Sequence, residues 1–213
     1  MKHILEDGRE LVASYKDIQA FFDRNHIAGR TIRDLRSYEN DYMIKNLDDF
    51  DIETLSKWTT ESAIDTDGQI AIIFSDGDHM EIEFSGNGPI LLGFNTADFS
   101  KYPEYNGTCY TLRTLFQHCI GRTVDSVFFE KTDRRMEFPA YCGIDMSEDD
   151  EGIQEIRLIL DDESYLSFSG NIDFFCFMHQ KKNGEELRVP YSELLKELSS
   201  EMMHRIFIQQ EGY

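Results

Sequence analysis

The chain has 213 residues, of which 40% are apolar and 13% aromatic. This is a globular composition rather than a disordered one, and the length is enough to bury a sizeable core. Asp and Glu number 41 against 21 Lys and Arg, a net charge of −20. So acidic a surface repels nucleic-acid phosphates and anionic membranes and attracts basic proteins.

The first residues, MKHILEDGRE, contain no apolar signal core, and no apolar run approaches the length of a membrane span. Cys109, Cys119, Cys142 and Cys176 form no Cys-x-x-Cys pair. A cytoplasmic protein with reduced thiols is expected, with Cys176 in the core.

In chain order, Ser14 with Asp17 three residues on signals a helix start. Tyr15, Ile18, Phe21 and Phe22 supply its apolar face, and the helix should end before Gly29. Ile32–Leu35 reads as a strand, and Asp51–Trp58 as a short helix. Ile70–Asn87 is a hairpin: Ile70, Ile72 and Phe74 alternate, Asp76-Gly77 turns the chain, and Met80, Ile82 and Phe84 alternate again. Ile90–Phe94 is a third strand. Pro103 and Asn106-Gly107 mark a break.

The order then repeats. Tyr110, Leu112, Leu115 and Phe116 space as a second helix, followed by Gly121-Arg122-Thr123-Val124, which matches Gly29-Arg30-Thr31-Ile32. Val127 takes the place of Leu35, and His118 that of His26. Ile156–Asn171 is a second hairpin turning at Asp161-Asp162, and both hairpins end in Phe-Ser-Gly-Asn. Phe174–Met178 is again a third strand. The expectation is an α+β fold built by internal duplication of a helix–strand–hairpin–strand unit, mainly antiparallel. The units span residues 1–105 and 106–213 and are expected to share one core. Pro190 opens a final helix with Tyr191, Leu194, Leu195, Leu198, Met202 and Ile206 on one stripe. That stripe either closes the fold or makes a dimer, so both monomer and homodimer stay open.

No catalytic, nucleotide-binding or metal-binding motif is present, and no cofactor is implied. Asp65-Thr66-Asp67-Gly68 fails as a calcium loop, because Ile70 and Asp76 occupy the positions where such a loop needs Gly and Glu. Arg30 and Arg122 are expected to pair with local carboxylates. His26 and His118 suit the last turn of a helix better than a metal site. His79, Glu81 and Glu83 alternate opposite Met80, Ile82 and Phe84, which assigns them to the solvent face.

The remaining signal is acidity. Residues 51–100 hold ten acids and one base, Lys57, and residues 145–163 hold nine acids and one base, Arg157. Two acidic regions at comparable places in two units suit either a solvated surface that keeps the chain soluble or a single face that binds a basic protein. The candidate contact residues are Asp76, Asp78, Glu81, Glu83, Asp161, Asp162, Glu163 and Tyr165, with Tyr102 and Tyr105 as further aromatic anchors. In size, charge and its Gly-Arg-Thr plus Asp-rich hairpin unit, the chain resembles small acidic bacterial immunity proteins, which neutralise a toxin domain. That resemblance implies a non-enzymatic protein-binding function and assigns no residue. The alternatives are a small enzyme or ligand-binding domain with a cleft between the units, and a scaffolding protein acting through the last helix.

Overall fold

The computed structural model describes residues 2–37, 64–66, 70–84, 89–97, 116–132, 152–170, 175–185 and 187. Ser14 caps the helix α1 (Tyr15–Arg24) as expected: its hydroxyl oxygen accepts the Asp17 N–H at 3.3 Å and donates to the Asp17 carboxylate at 3.0 Å. The helix buries Ile18, Phe21 and Phe22.

The strands are β1 (His3–Ile4), β2 (Glu10–Val12), β3 (Ile32–Ser37), β4 (Ile64–Thr66), β5 (Ile70–Phe74), β6 (His79–Phe84), β7 (Ile90–Phe94), β8 (Val124–Thr132), β9 (Gly152–Leu160), β10 (Tyr165–Gly170) and β11 (Phe175–Gln180). They form two sheets, ordered β1-β2-β7-β6-β5-β3 and β4-β11-β10-β9-β8. Every pairing among the described strands is antiparallel. Both hairpins and both third strands fall where the alternation puts them. The short strands β1, β2 and β4 carry too little pattern to be read from sequence. The described residues after Phe116 form a short 3-10 turn, Gln117–Cys119. Residues 110–115, the expected helix over Asp51–Trp58 and the C-terminal stripe lie outside the described residues, as do Tyr102 and Tyr105.

One apolar cluster joins the sheets. It takes Ile70, Ile72, Phe74, Met80, Ile82 and Phe84 from the first hairpin, and Ile156, Leu158, Leu160, Leu166 and Phe168 from the second. Phe129 of β8 meets α1 edge-to-face, with ring centroids 5.7 Å from Tyr15 and 5.4 Å from Phe22.

The two Gly-Arg-Thr segments meet along a seam of reciprocal bonds. Gly29 N–H donates to Val124 O at 2.7 Å, and Gly121 N–H donates to Ile32 O at 2.8 Å. Ile32 N–H donates to Arg122 O and Val124 N–H to Arg30 O, both at 2.8 Å. The Thr31 and Thr123 hydroxyls touch at 3.0 Å. Gly29 and Gly121 sit at φ +89° and +83°, a region that favours glycine. Each threonine carbonyl also accepts an N–H from the neighbouring hairpin, Ser75 or Asp161, at 2.9 Å. Both edge strands bulge just after the seam, between Ile32 and Asp34 and between Val124 and Ser126. The bulges explain why Leu35 and Val127, three residues after Ile32 and Val124, point inward.

Candidate protein-binding face

The hairpin acids are held by the arginines of the seam. Arg30 Nη1 lies 2.7 Å from Asp76 and 2.8 Å from Asp78. Its guanidinium stands 5.4 Å from the Phe74 ring and 5.0 Å from the Phe94 ring. Asp76 accepts the Asp78 N–H at 3.0 Å, and Asp78 accepts the Asn95 amide at 2.8 Å. The Asn95 hydrogen bond, followed by Arg30, holds the Asp78 carboxyl below its ordinary range. In the second hairpin, Arg122 lies 3.2 Å from Asp162 and 3.8 Å from Asp161. Asp162 accepts the Ser164 N–H at 3.1 Å and its hydroxyl at 2.5 Å. Gly77 (φ +97°) and Glu163 (φ +66°) take the same left-handed turn position.

The expected pairing of both arginines with local carboxylates therefore holds. It also means that Asp76, Asp78 and Asp162 brace the hairpins. The Arg30 side chain is 16% exposed and that of Arg122 is 46% exposed. Arg30→Ala is therefore expected to destabilise the fold by about 1–2 kcal/mol, and Arg122→Ala by less than about 1 kcal/mol, in urea unfolding. Equal losses would contradict this ranking.

Two predicted contact residues are less exposed than the alternation implies. Glu81 is 0% exposed, which corrects its assignment to a solvent face. Its register neighbours are Ala71 and Gly93, small enough to leave room for the carboxylate. Thr96 donates to it at 2.5 Å, and His79 Nε2 lies 3.0 Å away. Glu83 is half-buried beside Leu91, and burial raises its carboxyl above the ordinary range. The signal for this burial is β5 itself. Ile-Ala-Ile-Ile-Phe is apolar at every position, the pattern of a strand covered on both faces.

His26 lies beyond α1 at φ +48°, not in its last turn, and His118 sits in the 3-10 turn; both are exposed. Among the described residues no group of three or more His, Cys, Asp or Glu could hold a metal. His179 Nε2 stands 2.9 Å from the Ser164 hydroxyl, but that hydroxyl donates to Asp162 and both residues are buried. This arrangement braces the hairpin and offers no nucleophile to a substrate.

A partly exposed aromatic and arginine cluster lies on the face of the second sheet opposite the core, where Ser167 is itself buried. Cross-strand register places Phe128, Arg157 and Ser167 in one row, and Ser126, Ile159 and Tyr165 in the next. Phe128 is 49% exposed. Arg157 lies between two rings, 5.5 Å from Phe128 and 5.3 Å from Tyr165. Glu130 and Glu155 each accept from its guanidinium at 2.8 Å, and Ser167 donates to Glu155. An open groove of about 690 Å³ crosses this face, with Asp125, Asp161 and Glu163 around an apolar floor of Phe128, Ile159 and Tyr165. Lys182 pairs with Glu163 at 2.7 Å. Of the predicted residues, Asp161, Glu163 and Tyr165 meet here. Phe128, Ile159 and Arg157 were missed, because only strand register brings them together.

No protein-family model, curated protein or solved structure matches the chain. Among the described residues no helix is long and apolar enough to cross a membrane.

Proposed function

We propose that this chain is a non-enzymatic binding protein that engages a basic protein through the outer face of its second sheet. The supporting observation is the groove. Its aromatic floor, Phe128 and Tyr165, flanks the Arg157 guanidinium and is rimmed by Asp125, Asp161 and Glu163. Aromatics and an arginine at the centre with charge at the rim are how protein interfaces concentrate binding energy. The net charge of −20 steers a cationic partner towards it. Within this class, a cytoplasmic immunity protein that neutralises a basic toxin domain is the specific form we favour. The reciprocal seam bonds and matched bulges support a duplicated unit as the scaffold.

The test is capture from lysate of the source cells at low and high salt, using wild type and a triple variant, Asp125→Asn, Asp161→Asn and Phe128→Ser. All three residues are exposed. A basic protein retained at low salt, released at high salt and bound at least ~10-fold more weakly by the variant is the expected result. Capture that ignores both salt and variant would refute the reading.

A further inference from the structure

We infer that the partner binds by adding an extended, cationic strand to the outer edge of β8, which no described strand pairs, centred on Ser126–Phe128. This rests on the proposed binding function and specifies its mode. β8 is the terminal strand of its sheet and, at nine residues, one of the two longest described. An edge strand directs alternate N–H and C=O groups outward, a template for another strand. Here the seam occupies that template only at Val124, which bonds Gly29 and Arg30. From Asp125 to Phe128, no described residue bonds the β8 backbone from that side.

The side chains around this edge say what would lie on it. Val127 packs against the core and is only partly buried. α1 covers Phe129 from within, which confines the addition to the part of β8 before it. Asp125, Ser126 and Phe128 are exposed, and the groove begins at these residues. An incoming strand that alternates apolar and cationic residues would set the apolar ones beside Val127 and the cationic ones beside Asp125 and Phe128. Strand addition of this kind takes affinity from main-chain bonds and specificity from alternate side chains. Arginine or lysine next to the exposed Phe128 ring adds a cation–π contact.

The probe is an acetylated, amidated peptide, Arg-Val-Lys-Ile-Arg-Val-Lys, measured against the full chain at low salt. Two derivatives carry N-methyl groups, one on its first, third, fifth and seventh residues, the other on its second, fourth and sixth. Both keep every charge and side chain. Only one edge of an added strand faces β8. One derivative should therefore lose at least ~10-fold in affinity and the other keep it, with hydrogen exchange slowed at Asp125–Phe128. Equal binding by all three peptides would refute strand addition while leaving the charged face intact as the binding site. No binding by any of them would also refute it, whereas the lysate experiment decides the binding function independently.

Discussion

Gly93→Ala is expected to lower stability by about 3 kcal/mol. A β-carbon there would lie 1.8 Å from one Glu81 carboxylate oxygen and 2.4 Å from the Thr96 hydroxyl. Both groups are ends of side chains, which ordinarily swing aside. Glu81 cannot do so cheaply, because it is 0% exposed and its contacts are the Thr96 hydroxyl and the His79 ring. Moving it separates a buried carboxyl group from its donor, and a buried polar group left without its hydrogen bond costs about 1–3 kcal/mol. The control is a double-mutant cycle with Glu81→Ala. Removing the carboxylate removes the closest clash, so Gly93→Ala should cost at least about 1 kcal/mol less in that background. Strict additivity would show that the glycine serves some other purpose.

The same carboxylate shows where reading the sequence reaches its limit. α1 was legible because its signals are local: Ser14, Asp17 and an apolar face at helical spacing. The hairpins were legible because Asp76-Gly77 and Asp161-Asp162 each interrupt a period of two. Glu81 was misplaced because alternation says which residues share a face, not whether that face is covered. The all-apolar β5 held the missing information, and Ala71 and Gly93 in the flanking strands marked the space. The groove was less legible still. Phe128, Arg157 and Tyr165 come from three strands, and β8 shifts register twice, between Val124 and Ser126 and between Glu130 and Lys131. Each shift changes which residue of β8 stands beside a given residue of β9. The juxtaposition therefore follows from backbone irregularities that no periodicity encodes.

His179, one residue past the third strand as read from sequence, should make the fold lose stability in a pH range of its own. The ring is buried, and burial is the main cause that pushes its pKa down to about 4 from an ordinary 6.5. Asp162 acts to raise it, while the His118 and Arg122 charges nearby lower it further. The hydrogen bonds give the molecular reason. The Ser164 hydroxyl donates to Asp162, so Nε2 must carry the ring proton and donate to Ser164 at 2.9 Å. Nδ1 is buried with no hydrogen-bond partner among the described residues, so a second proton would have nowhere to bond. The folded state therefore keeps His179 neutral while the unfolded chain protonates it. Stability is full above pH 6.5 and falls steadily to about pH 4, by roughly 3 kcal/mol in total. Asp78 and Asp162, whose pKa values are lowered, withdraw their contribution only below about pH 3.8. Glu83, with a raised pKa, works in the opposite direction as pH falls. Urea midpoints at pH 7.5, 6.5, 5.5 and 4.5 should therefore decline for the wild type, whereas His179→Gln starts lower and stays flatter. Parallel decline in both proteins would mean that some other group titrates in this range and that His179 is not held neutral by its burial.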